Sequence, residues 1–426
     1  RICVAPMVIS SRSRDVRSGH IGVELAWLER APGTSPTWRK RVVARSAMTS
    51  VRQLSRLADY GAPVSGGNKA ALSRWLLALE AANHEALAAR ETSDMLGWQA
   101  DGAFILPGWS SKEGSRTEYL PSTQAGDVLA KNLGSAGTWE GWLATIGSIS
   151  AHPVAMLAIY AACAGPLCRI FGVRPFVVDW CSDSRPGAVT ALDIGASVWG
   201  PPGDRPGTGL IHDWSGARVV VSTTVPLLGS LPVFFVDAQS SPNKSGLLRA
   251  LRAFTRGTAT PTWGGGAEVT WSSVLMSGGT TSVMDAADAY DVDHQVLELF
   301  ERPVNGPETV VQSVTRRTRV DLRANYGHMG RRLVQELSAH PEHLEGLKAA
   351  YASRRNAFIE AANHQRGAAL AEFVAVLTIA KDLCDALGVP RCRPSPMKAL
   401  LAAIHDPGSD SNVYRSVLVH LYRWCI

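Results

Sequence analysis

The stretch Phe176-Val177-Val178-Asp179-Trp180-Cys181-Ser182-Asp183-Ser184-Arg185-Pro186-Gly187-Ala188-Val189-Thr190 decides the fold of this chain. Its first five residues read as a short buried strand. A small polar turn follows, and Ala191 to Trp199 read as a helix. Strand, turn, glycine and a helix with a hydroxyl in its first turn is the layout of a phosphate-binding loop. A working loop needs backbone N–H groups around the phosphates, a Lys that reaches the β/γ oxygens, and a Ser or Thr hydroxyl on Mg²⁺. Here the Lys position holds Ala188 and the hydroxyl position holds Val189. Thr190 comes one residue late, Arg185 lies before the glycine, and Pro186 has no N–H to give. Ser184, Arg185, Gly187 and Thr190 stay as candidates for holding an anion at a helix N-terminus. ATP and Mg²⁺ are expected only if this loop still binds nucleotide; otherwise no cofactor is expected.

Such a loop works with a second acidic strand that holds Mg²⁺ and orients water. Val233-Phe234-Phe235-Val236-Asp237 is an apolar strand ending in Asp. A hydrolysing enzyme would carry Glu next; this chain has Ala238, then Gln239. Asp237 and Gln239 are therefore read as vestigial catalytic residues. The fifty residues from Gly187 to Asp237 suit strands of one sheet.

Outward from this pair, strands and helices alternate. Strands are expected at Val219–Val221, Val233–Asp237, Val269–Trp271 and Val274–Met276, with a helix over Ser245–Thr255. Alternation argues for a mostly parallel sheet covered on both faces. Residues 1–46 alternate apolar and polar between turn signals, which predicts a small antiparallel sheet. Helical periodicity runs over Val51–Tyr60 and Asn68–Arg90, with Leu72, Trp75, Leu76, Leu79 and Ala82 on one face. Ser110 to Gly137 is polar and rich in Gly, Ser and Thr. From Asn325 onward the pattern is helical, ending in a last piece at Met397–Ile426. Three domains follow: a mixed α+β domain at 1–137, a degenerate core at 138–325 and a helical domain at 326–426.

The 426 residues suffice for a sizeable core, and 46% hydrophobic with 19% charged is an ordinary globular composition. A net charge of +6 is mildly basic. Seven cysteines without a CxxC pair read as reduced, in a cytoplasmic protein. No HExxH pattern occurs among eleven histidines, and His340 and His343 are assigned to a solvated face, so no metal site is expected. Pro153–Cys168 is apolar but shorter than the ~20 residues of a membrane span, so a buried helix is expected and no membrane contact.

Several segments together resemble the domain-of-unknown-function family nine-two-seven, helicase-like P-loop ATPases carried by phages, plasmids and cassette chromosomes. They are the run from Arg12 to Trp27, Leu96-Gly97-Trp98-Gln99 with Phe104-Ile105-Leu106-Pro107, and Thr190-Ala191-Leu192 with Ala196-Ser197-Val198-Trp199-Gly200. Phe235-Val236-Asp237, Trp271 to Thr280 and Tyr326-Gly327-His328-Met329-Gly330 complete the set, in family order. The resemblance implies a RecA/AAA-like α/β P-loop core between an N-terminal β-rich mixed domain and a C-terminal helical domain. It also places the family's Walker Lys on Ala188, its Mg²⁺ hydroxyl on Val189, its catalytic Glu on Ala238 and a further acid on Thr280. Joint loss of these groups beside intact core signatures implies a pseudo-ATPase that assembles as a homo-oligomer and binds DNA, single- or double-stranded, or a partner ATPase subunit. An active ATP-dependent DNA helicase of a mobile element, or a structural scaffold of a phage or mobile element, are the alternatives. Candidate nucleic-acid contacts are Arg249, Arg252, Arg316, Arg317, Arg319, Arg331 and Arg332, since basic runs set phosphate affinity. Trp263 is a candidate for stacking a base.

Overall fold

In the computed structural model of the chain, residues 3, 5–17, 19–29, 35–203, 209–259, 269–393, 395–397 and 400–401 are described. Trp263 lies outside the described residues, as does most of the last helical piece. The chain divides into two units. One comprises Arg1–Asp94 and Pro107–Asp127, the other Met95–Leu106 and Val128–Ile426.

The first unit holds a five-stranded sheet. Its strands are β1 (Met7–Asp15), β2 (Ile21–Glu29), β3 (Thr37–Ala44), β4 (Ala89–Ser93) and β5 (Thr117–Tyr119), in the order β3-β2-β1-β4-β5. The expected antiparallel pairing joins β1, β2 and β3, and two parallel strands extend it. Alternation along β1 buries Met7 and Ile9, which pack with Val23, Leu25 and Trp27 of β2. Helix α1 (Lys69–Ala82) covers this face with Leu72 and Leu76. It stops well short of Arg90. Asn83 donates its side-chain amide to the Leu79 carbonyl at 2.8 Å, and the chain turns into β4 instead. Buried Glu80 is held by the Arg45 guanidinium at 3.0 Å.

The second unit is built on a parallel sheet. Its strands are β6 (Phe176–Cys181), β7 (Ile211–Asp213), β8 (Val233–Val236), β9 (Val274–Gly279) and β10 (Val296–Leu299), in the order β7-β8-β9-β6-β10. Strand β9 thus stands between the two strands singled out in the sequence, pairing Ser277 with Asp179 and Phe235 with Ser277. The expected strand at Val219–Val221 is instead part of a helix, Ala217–Thr223. Ala217 and Val221, four apart, are its buried residues, whereas Val219 is exposed. Helical burial of one face overrides the β preference of the valines.

Helices α2 (Trp139–Ile149), α3 (Pro153–Phe171), α4 (Arg185–Ser197) and α5 (Lys244–Arg256) flank the strands. Residues Val154 to Cys168 of α3 are all buried. Among the described residues α3 is the one helix long and apolar enough to span a membrane, and it lies 83% buried inside the unit, as expected of a core helix. Helix α4 lies close on the sheet because Gly195 has no side chain: a Cβ there would meet Met276 Cε at 2.5 Å. Four further helices follow: α6 (Glu308–Ala324), α7 (His328–Ala339), α8 (His343–Ala361) and α9 (Gln365–Ala386). Phe373 of α9 stacks on Phe176 of β6 at 4.5 Å, so this helix packs directly on the sheet.

Asp179 of β6 is fully buried. The Val283 amide donates to its Oδ2 at 2.7 Å. Burial pushes its pKa up from 3.8 to about 7. A pKa raised on folding means the carboxyl binds its proton more tightly in the folded state. The stabilisation is complete below pH ~3.9 and is lost as pH rises through about 7. Asp179→Asn keeps an acceptor for Val283 and cannot ionise. Urea melts between pH 4 and 8 should show the variant gaining on the wild type by up to about 4 kcal/mol as pH rises. Parallel pH profiles for the two proteins would refute this.

Candidate functional site

The loop region is shorter than its sequence suggested. Only Ser182, Asp183 and Ser184 separate the end of β6 at Cys181 from the start of α4 at Arg185. The helix therefore begins six residues before Ala191. Ser184 caps it, its hydroxyl accepting from the Gly187 amide at 3.3 Å, and Pro186 sits in the first turn, where a missing N–H costs nothing. Besides Gly187, three amides in and just after the turn already have acceptors. Ser182 N–H donates to the Gly279 carbonyl at 3.3 Å, Ser184 N–H to Ser182 Oγ at 3.3 Å, and Ala188 N–H to the Ser184 carbonyl at 3.0 Å. Asp183, on the outside of the turn, is gripped by both forks of Arg302 at 2.6 Å.

Arg185 and Asp237, 52 residues apart, meet across the ends of the sheet. The Arg185 Nε lies 2.9 Å from Asp237 Oδ1 and 3.0 Å from Oδ2, and its Nη2 also donates to Oδ2. This two-pronged pairing matches guanidinium to carboxylate. It holds the Arg185 pKa above its usual range, and Asp213 adds to the effect. Asp237 follows β8 in a left-handed conformation, φ +59°, unusual for a residue with a side chain. Gln239 is exposed and donates to Asp237 Oδ1 at 3.3 Å. Thr190 is buried: its hydroxyl bonds the Pro186 carbonyl and Thr315 Oγ1 of α6, each at 2.8 Å, and so faces α6 rather than the turn. Of the residues selected from sequence, Arg185, Asp237 and Gln239 come together. Ser184, Gly187 and Thr190 serve the local helix.

The candidate basic residues differ in their surroundings. Arg319 pairs with buried Asp193 of α4, Nε to Oδ2 at 2.7 Å. Burial nevertheless pushes Asp193 up to about 6, against the pull of that guanidinium. Arg252 binds Asp291 at 2.8 Å, and Arg332 lies over the Trp139 ring at 4.6 Å. Arg331 is half-buried, which lowers its pKa. Arg249 is exposed on α5. Arg316 and Arg317 are exposed on α6, beside a shallow depression of about 560 Å³ that they line with Thr309, Gln312, Ser313, Val320 and Asp321. Their run belongs to a helix.

A packing centre escaped the sequence reading. Phe104 stacks on Trp199 at 5.7 Å and meets Trp98 edge-on at 5.1 Å. Trp199 donates its ring N–H to the Ala162 carbonyl at 3.0 Å. Gly330 lies so near Trp199 that a Cβ would come within 2.5 Å of the ring, and the Gly327 amide donates to the Ser197 carbonyl at 2.7 Å. Three segments of shared sequence signature thus meet at one tryptophan. Their joint presence in the sequence was the available signal, but it pointed to packing rather than to catalysis.

Residues 1–235 match the family described as Domain of unknown function (DUF927). A solved structure described as "SCCmec type IV Cch - active helicase" is similar to the chain at a TM-score of 0.66 and 16% sequence identity, covering 91% of this chain and 71% of that one. At that identity the likeness is one of fold. No curated protein matches. With more than half of its length matched in this way, the chain belongs to the DUF927 family.

Proposed function

We propose that this chain is a helicase-like protein with a RecA/AAA-like core that no longer cycles ATP. The observation that carries this reading is the Arg185–Asp237 ion pair beside a turn in which the Ser182 and Ser184 amides already have acceptors. The carboxylate expected to serve Mg²⁺ is neutralised by a guanidinium, and no Lys follows Gly187. The parallel order β7-β8-β9-β6-β10 supports the core assignment. In this reading the protein acts by assembly, as a homo-oligomer or beside an active ATPase subunit, and contacts DNA through exposed arginines, of which Arg316 and Arg317 are the best placed. Equilibrium titration with Mg-ATP tests it. No binding is expected up to ~1 mM, the upper end of ordinary substrate affinities. A micromolar dissociation constant, lost in Asp237→Ala, would overturn it.

The similar solved structure carries the words "active helicase", and this favours one second reading. There Arg185 would leave Asp237 when nucleotide arrives and take the role of the missing Lys. Its side chain is 53% exposed, so it has room to swing. The same titration separates the two readings.

A further inference from the structure

The segment Ala339-His340-Pro341-Glu342-His343 turns the chain from α7 into α8. His340 ends α7, Pro341 prevents its continuation, and His343 opens α8. The sequence alone assigned both histidines to a solvated face. Folding the corner brings them ring to ring, with centroids 5.0 Å apart and planes 19° from parallel. Single ligand atoms of His340, Glu342 and His343 all lie within 4.8 Å of one another. His340 Nδ1 is 3.1 Å from Glu342 Oε1, and its Nε2 is 3.8 Å from a carboxylate oxygen of Glu336, one turn back on α7. Among the described residues this is the one such His, Cys and carboxylate group.

We propose that this corner binds one divalent metal ion of the zinc class through His340, Glu342 and His343. Zinc takes imidazole nitrogen and carboxylate oxygen at about 2.0–2.2 Å in a tetrahedron. Two histidines on one tetrahedral ion hold their ring centroids roughly 5 Å apart by that geometry, which is the spacing already present. Ligand atoms on such an ion lie about 3.4 Å apart, so a small rotation of these side chains closes the set. The set is open to solvent: His340 is 44% and Glu342 63% exposed. Three protein ligands leave the fourth position to water. Glu336 stands where it can accept from the second nitrogen of His340 and orient the ring. Mg²⁺ and Ca²⁺ are disfavoured, because they select oxygen sets and two of the three donors are nitrogens. The bound ion would clamp the end of α7 to the start of α8.

Calorimetric titration of the full chain with zinc sulfate tests the site, with cobalt(II) absorption as a second readout. One equivalent should bind with a micromolar dissociation constant. Binding should weaken roughly tenfold or more in His340→Ala and in His343→Ala, in line with the loss of a ligand. Melting without metal should be unchanged in both variants, because the side chains are on the surface. Cobalt should give the intense visible bands of a four-coordinate ion in the wild type only. Absence of zinc uptake at submillimolar concentration would overturn the proposal. So would equal affinity in the double variant His340→Ala/His343→Ala.

Discussion

Purified protein supplied with ATP and Mg²⁺ is expected to hydrolyse it at least ~10³-fold more slowly than P-loop enzymes that turn over at ~1 s⁻¹. Asp237→Ala is expected to leave that background unchanged. Phosphoryl transfer relies almost wholly on positioned charge, and loss of one arginine finger alone costs ~10³–10⁵ in rate. Here Ala188, Val189 and Ala238 stand where the family resemblance places a Lys, a hydroxyl and a Glu. The remaining acid is clamped by Arg185, which the short capped turn holds at the first position of α4. Steady-state phosphate release, compared between wild type and Asp237→Ala, reads the difference directly. Turnover near 1 s⁻¹ that the substitution abolishes would end the pseudo-ATPase reading.

The largest loss of stability is expected at Arg319. Replacing it by Met leaves the Asp193 carboxylate, 1% exposed, without its partner inside the unit. Breaking such a pair from one side costs about 3–5 kcal/mol. The lower end applies, because the Arg319 side chain is itself 30% exposed and its charge is partly screened by solvent. Proton uptake by Asp193, which burial already pushes up to about 6, limits the loss in acid. The deficit should therefore be larger at pH 8 than at pH 5. Asp193→Asn combined with Arg319→Met should recover most of it, since no buried charge remains. Denaturant midpoints for the two single variants and the double variant measure all three. If Arg319→Met kept its midpoint and instead weakened DNA binding, Arg319 would be a phosphate contact after all.

Some of this was legible beforehand. The apolar runs of β6, β8 and α3 were found where expected, because burial on all sides leaves an unbroken hydrophobic stretch. The α1 face was legible from period alone. The start of α4 was not, because a Ser cap three residues before Gly187 depends on backbone angles at Ser184 that no composition reveals. Nor was the helix at Ala217–Thr223, where valines with strand preference follow the fall of the chain into the core. The Arg319–Asp193 pair was not legible for a related reason: within its basic run Arg319 differs from Arg316 and Arg317 only in the face of α6 that it occupies.

By itself the sequence puts Ala188, Val189 and Ala238 where the family resemblance places a Lys, a hydroxyl and a Glu, since that is a matter of residue identity. It also determined the family, which rests on signatures spread along the chain. Only the tertiary structure decided what fills the gap. Arg185 reaches Asp237 over 52 residues, and Arg319 reaches Asp193 over 126. Those distances close through the order of parallel strands and the docking of α6 on α4, which arise from packing among distant elements and leave no local periodic trace.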